Sequence, residues 1–110
     1  MSQETRRFMR LMVFFDLPTV TKADKRAYTV FRRFLLQDGY DMLQWSVYAR
    51  IVNGADDVTK HQQRLAANLP RKGSVRCMKV SEKQYAGMEI LVGTQTVQEE
   101  TVAMRQLVLL

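Results

Sequence analysis

Apolar positions open this chain as a solid block and then break into two rhythms. Leu11-Met12-Val13-Phe14-Phe15 is apolar at every position and stops at Asp16-Leu17-Pro18. Such a run, ended by a turn signal, predicts a buried strand from about Phe8 to Phe15. Pro18 closes it, because a proline cannot donate to a sheet ladder. Thr21 and Asp24 then stand at capping-box spacing, with Asp in place of Glu, and predict a helix from about Lys22 to Leu36. Ala23, Ala27, Val30, Phe31 and Phe34 recur at helical spacing and form its expected core face. Gly39 suits a left-handed exit.

The rhythm then changes to period two. Trp45, Val47, Ala49 and Ile51 share one parity, with Ser46, Tyr48, Arg50 and Val52 on the other. That pattern predicts a strand, with room for a shorter one near Asp41 to Gln44 and a kink between them. Asn53-Gly54 reads as a turn. Asp56 to Asn68 reads as a second helix, with Val58, Gln62, Leu65 and Leu69 as its stripe and Asp56 and Asp57 suited to its N-terminal dipole. Pro70 and Gly73 close it, and Ser74 to Val80 reads as another strand. Met88 to Val92 has the look of a fifth, short strand ended by Gly93.

Strand, helix, strand, strand, helix, strand is the split βαβ order, so the expected fold class is α+β, ferredoxin-like βαββαβ with an additional C-terminal strand. Residues 1–93 form the expected domain, and 94–110 a polar tail with an apolar end for docking on a partner or the second subunit. Both helices of this arrangement cover one face of the sheet. The first strand is nevertheless apolar on both parities, and monomers rarely leave a large apolar face wet. A homodimer packed sheet to sheet is therefore expected. Asp16 shares the parity of Met12 and Phe14, so that packing would bring two copies of Asp16 together.

Charge adds a partner class. The chain of 110 residues carries a net charge of +6, unevenly spread. Residues 1–80 hold 15 Lys and Arg against 7 Asp and Glu, or +8; residues 81–110 hold 2 against 4, or −2. A basic body points to a polyanion, nucleic acid before a membrane surface. On the first helix Lys22, Arg26, Thr29 and Arg33 follow one stripe opposite the apolar face, with Lys25 and Arg32 beside it and Asp24 as the one acid. An ordinary solvated face mixes its signs. With Arg71, Lys72 and Arg76, this set predicts a phosphate-backbone surface, which positions a duplex without reading its sequence.

The remaining chemistry is sparse. Cys77 is the only cysteine, which excludes an internal disulfide and a multi-cysteine zinc site, and predicts a buried thiol. Arg6, Arg7 and Arg10 before apolar residues imitate a signal peptide, but Asp16 and Pro18 cut the apolar run short and no stretch is long enough to span a bilayer. A cytoplasmic location and no membrane partner follow. His61, the only histidine, reads as a surface residue with nothing to pair it, and Trp45 and Tyr48 as packing residues. Asp16 reads either as a turn cap or as a Mg²⁺ ligand, doubled by symmetry, that activates water against a phosphodiester. Spacing alone favours the turn cap.

Phe14-Phe15-Asp16-Leu17-Pro18, the basic first helix, Leu43-Gln44-Trp45-Ser46-Val47-Tyr48 and Gly73-Ser74-Val75-Arg76 resemble, in order and spacing, the CRISPR-associated protein two family. The resemblance covers about Phe8 to Gly93 and in detail is most similar to members from systems with a single large effector nuclease. It implies a ferredoxin-like homodimer that bridges two dimers of the CRISPR integrase subunit while short duplex DNA is inserted into the array. It also implies Mg²⁺-dependent endonuclease activity on RNA or duplex DNA. Asp16 matches the family's metal ligand and catalytic residue, and Ser46 and Tyr48 match supporting strand residues near its dimer interface. The family's fifth strand adds to the partner subunit's sheet, which suits Met88 to Val92. Two functions stand: a scaffold for integration, favoured here, and a metal-dependent nuclease as its alternative.

Overall fold

The computed structural model describes residues 8–93; the tail from Thr94 and the arginines at 6 and 7 lie outside the described residues. The elements are β1 (Phe8–Asp16), α1 (Lys22–Gln37), β2 (Asp41–Gln44), β3 (Val47–Asn53), α2 (Gly54–Ala67), β4 (Ser74–Ser81) and a short α3 (Glu82–Ala86). The sheet order is β2-β3-β1-β4, with every pairing antiparallel. The most apolar strand is thus central, flanked by β3 and β4. This is the ferredoxin-like α+β arrangement that the element order predicts. No helix among the described residues is long and apolar enough to cross a membrane.

Leu11, Val13 and Phe15 point from β1 toward the helices and are buried with Tyr48 and Val52 of β3. Phe15 is the hub. Its ring meets Phe31 edge-on at 5.2 Å and Tyr28 at 5.9 Å, and stacks on Tyr48 at 5.6 Å. Each aromatic pair of this kind adds about 0.5–1.5 kcal/mol beyond the area it buries.

α1 begins at the expected capping box. Thr21 Oγ1 accepts the Asp24 amide at 3.0 Å, and Asp24 accepts the Thr21 amide at 3.1 Å. The helix buries Asp24, Tyr28, Phe31 and Leu35, whereas Ala23, Ala27 and Val30 are exposed. The expected core face is therefore rotated. Tyr28 and Leu35 carry far more apolar area than two alanines, so burying them wins. α2 shows the same effect. It starts two residues earlier than expected and buries Val58, His61 and Leu65, leaving Gln62 and Leu69 exposed.

The capping carboxylates give the fold an acid limit. The Thr21 amide holds the Asp24 carboxyl below the ordinary value of 3.8, against an opposing push from burial. For Asp57 burial raises the value, while the Asn53 amide, Lys60 and His61 lower it, and the net direction is again down. A depressed carboxylate stabilises fully above its unfolded value, and that share disappears as pH falls through the folded value. Asp24→Asn is therefore expected to lower the urea midpoint by a constant amount well above pH 3.8 and to approach the wild type as pH falls below it. A gap that stays constant through pH 2 would contradict this.

The helix-free face carries Arg10, Met12, Phe14 and Asp16 of β1, Val47, Ala49 and Ile51 of β3, and Arg76, Met78 and Val80 of β4. It is less open than the sequence implies. α3 folds back over it, the Arg10 guanidinium lying 4.1 Å from the Tyr85 ring centre and hydrogen-bonded to Glu82. Met12 and Ala49 are already buried in the single chain, while Phe14, Val47 and Ile51 are half-buried. The strand expected at Met88–Val92 is not among the four. Those residues pair with no strand here and face Leu43, Gln44 and Val47 across a groove of about 640 Å³.

Candidate functional site

Three chain segments meet at the end of β1. Asp16, the last residue of that strand, is exposed and pairs in register with Ser74 of β4. On the other flank the Phe15 amide donates to the Ser46 carbonyl at 3.1 Å, which ties the β2–β3 turn to the same point. The third segment is the loop before β4. Gly73 has φ +93°, and a Cβ there would lie 2.5 Å from the Asp16 carbonyl oxygen. Only glycine allows both that φ and that approach, so Gly73 is what lets the loop close against Asp16. The carboxylate thus sits on a well-anchored backbone while its oxygens face solvent.

Asp16 alone does not make a magnesium site in one chain. Mg²⁺ demands near-octahedral oxygen coordination. Among the described residues no group of three His, Cys, Asp or Glu side chains converges to hold a metal ion. Asp16 does lie on the helix-free parity with Met12 and Phe14, as the alternation predicts.

The basic residues separate into groups. Lys22, Lys25, Arg26 and Arg33 are exposed on the outer side of α1, opposite the stripe from Asp24 to Leu35. Arg32 is half-buried beside the Tyr48 phenol. Burial pushes that phenol up, and the nearby guanidinium pulls in the other direction. Arg71 and Lys72 join the first turns of α1 around a cavity of about 250 Å³ also lined by Leu17, Pro18, Ala23 and Ala27. Arg76 departs from this surface. It pairs with Phe14 and so lies on the opposite face of the sheet from α1. A strand in that register alternates faces, and a linear charge count cannot see this.

The supporting positions are also re-placed. Ser46 belongs to the turn between β2 and β3 rather than to a strand, with φ +72°. Tyr48 is fully buried on the helix side, stacked on Phe15, and does not reach the helix-free face. Cys77, expected to be buried, is exposed on β4, an edge strand whose two faces are mostly uncovered.

His61 is not a surface residue. It is 2% exposed, with Nδ1 2.8 Å from Asp38 Oδ2 and Nε2 3.3 Å from Asp57 Oδ1. Arg64 Nη1 donates to Asp38 Oδ1 at 2.9 Å, and the Arg50 guanidinium donates to the Asp38 carbonyl. This cluster fastens the end of α1 to α2 and β3. The i, i+3, i+7 spacing of Val58, His61 and Leu65 is the sequence signal for this burial, since it puts His61 on the buried stripe of α2. Enclosed as it is, the imidazole has no open side for a substrate.

The family model for CRISPR associated protein Cas2 matches residues 9–88. The CRISPR-associated endoribonuclease Cas2 of Acidovorax ebreus is 63% identical over 101 residues, covering 92% of this chain and 99% of that protein. Proteins of the same name from Lacticaseibacillus rhamnosus and Treponema denticola are 42% and 41% identical. They cover 79% and 77% of this chain, and 86% and 84% of their own lengths.

Proposed function

Because this chain belongs to the CRISPR-associated protein Cas2 family, we propose that it acts in the uptake of new CRISPR spacers as a homodimer. In this reading it bridges integrase dimers and holds the duplex DNA that is to be inserted. The observation that carries the DNA-binding part is the outer face of α1, where Lys22, Lys25, Arg26 and Arg33 are all exposed and the helix's one acid, Asp24, is buried. A cationic face without interspersed acids has more to gain from releasing the counterions of a duplex than from water alone. Met88–Val92, which pairs with no strand within one chain, gains a sheet partner from the second copy, and the acidic tail from Thr94 docks on the integrase.

A second reading, a metal-dependent nuclease centred on Asp16, is favoured by the names of the relatives, which call those proteins endoribonucleases. The exposed carboxylate at an anchored strand end suits that role once a second Asp16 stands opposite it. Ser46, one residue from Trp45, anchors the turn beside it.

The two readings part at Asp16→Ala. The exposed position and unaltered backbone leave folding intact. The test mixes this protein, the integrase subunit and a short duplex with Mg²⁺ or with a chelator, and scores integration and cleavage separately, with RNA and DNA as cleavage substrates. Integration by the variant is expected within about twofold of the wild type, while any Mg²⁺-dependent cleavage is lost. Loss of integration with duplex binding intact would overturn the scaffold reading in favour of the enzyme.

A further inference from the structure

Trp45 is the largest side chain in the molecule and is 71% exposed. It is not loose. One face of its indole stacks on Tyr28 of α1, centroids 5.5 Å apart and planes at 18°. Tyr28 is itself buried and braced edge-on by Phe15. The turn that presents the indole is held by the Phe15 amide on the Ser46 carbonyl. Ser46 is the only non-glycine residue with positive φ among the described residues. Backbone strain of this kind costs of order 1 kcal/mol or more and tends to persist where a side chain must be presented. Lys25, exposed, and Arg32, half-buried, lie three residues before and four after Tyr28, about one helical turn to either side of it along α1.

We propose that the outer face of Trp45 is a stacking platform for one unpaired nucleobase, at a strand end or a frayed duplex terminus, with the adjoining phosphates on Lys25 and Arg32. The inference rests on the nucleic-acid-binding reading of α1. A rigid, half-clamped indole stacks on any base, because every base presents a π-face, and basic neighbours hold the backbone. The platform explains why a residue of this size is left in water beside a cationic helix. It adds to the phosphate contacts a preference for ends that carry unpaired nucleotides over blunt ones.

The chain holds one tryptophan, so all indole emission reports on this position. The test titrates the full-length protein with a labelled duplex carrying a short single-stranded overhang and with its blunt counterpart, following Trp45 emission and label anisotropy together. Quenching that tracks binding is expected with the overhang and not with the blunt duplex. Trp45→Ala is expected to weaken overhang binding between about fivefold and a hundredfold, to leave blunt binding within about twofold, and to be rescued by Trp45→Phe. Binding by anisotropy with no quenching, and Trp45→Ala equal to wild type on both duplexes, would overturn the platform and leave the α1 surface standing. No binding of either duplex by the wild type would overturn both.

Discussion

Reversing three charges on the outer face of α1, as Lys22→Glu, Arg26→Glu and Arg33→Glu together, is expected to abolish duplex binding at physiological salt with the fold unchanged. The three side chains are exposed and lie opposite the buried stripe of Tyr28, Phe31 and Leu35, so packing has no stake in them. Each phosphate contact contributes about 0.9 to the slope of log affinity against log salt on B-form DNA. Losing three contacts flattens that slope by about 2.7, and three new carboxylates add repulsion to the loss. Anisotropy across a salt series, with circular dichroism as the folding control, reads both effects. A triple variant with an unchanged slope would place the duplex on some other surface. The Arg76 side of the sheet is the next candidate, because that residue faces away from α1.

Phe15→Ala is expected to have the largest effect on stability, about 3–5 kcal/mol. The ring is the common partner of Tyr28, Phe31 and Tyr48, and its removal leaves a cavity at the joint between β1, β3 and α1. A small domain has about 5–15 kcal/mol in total, so the variant loses a large share of its folding free energy. The effect extends to the candidate site, since the residue before Asp16 also anchors the Ser46 turn through its amide. Urea unfolding measures the loss. A cost below 1 kcal/mol would mean that the neighbouring aromatics collapse into the space and that Phe15 is no hub.

Much of this architecture is written in local patterns. The apolar block ended by Asp16-Leu17-Pro18, the Thr21–Asp24 cap and the break between Gln44 and Val47 are each local signals, and each falls where the pattern puts it. Rotation of a helix about its axis is not local. Ala23, Ala27 and Val30 are apolar and at helical spacing, but the sheet beneath α1 offers space for Tyr28 and Leu35 instead. His61 escaped for a related reason. A histidine enters a core when carboxylates from other elements meet it, and Asp38 lies 23 residues away in sequence.

The candidate site was legible in part. Asp16 follows from strand parity, and the charge of α1 from composition. That Arg76 leaves the basic surface and that Trp45, read as a packing residue, stands in water depend on register and on a turn at Ser46 that periodicity alone does not resolve, whereas Tyr48, read the same way, is buried as expected. The case for a second subunit also shifts. The sequence argues it from a fully open apolar face, yet α3 and the Arg10–Glu82 pair already cover part of that face. What is left for a second subunit to cover is narrower: half-buried Phe14, Val47 and Ile51, exposed Met78, and a carboxylate that needs a counterpart.

That counterpart is accessible to one measurement. In a Cys77→Ser background, Asp16→Cys places the only thiol at the strand end, and a short bis-maleimide then reports whether two such ends face each other. A covalent dimer of twice 12.8 kDa, absent from the Cys77→Ser parent, is the result expected if the helix-free face joins two subunits around Asp16. A product that stays at 12.8 kDa at high protein concentration would contradict that arrangement, and with it both the paired carboxylate and the bridging dimer.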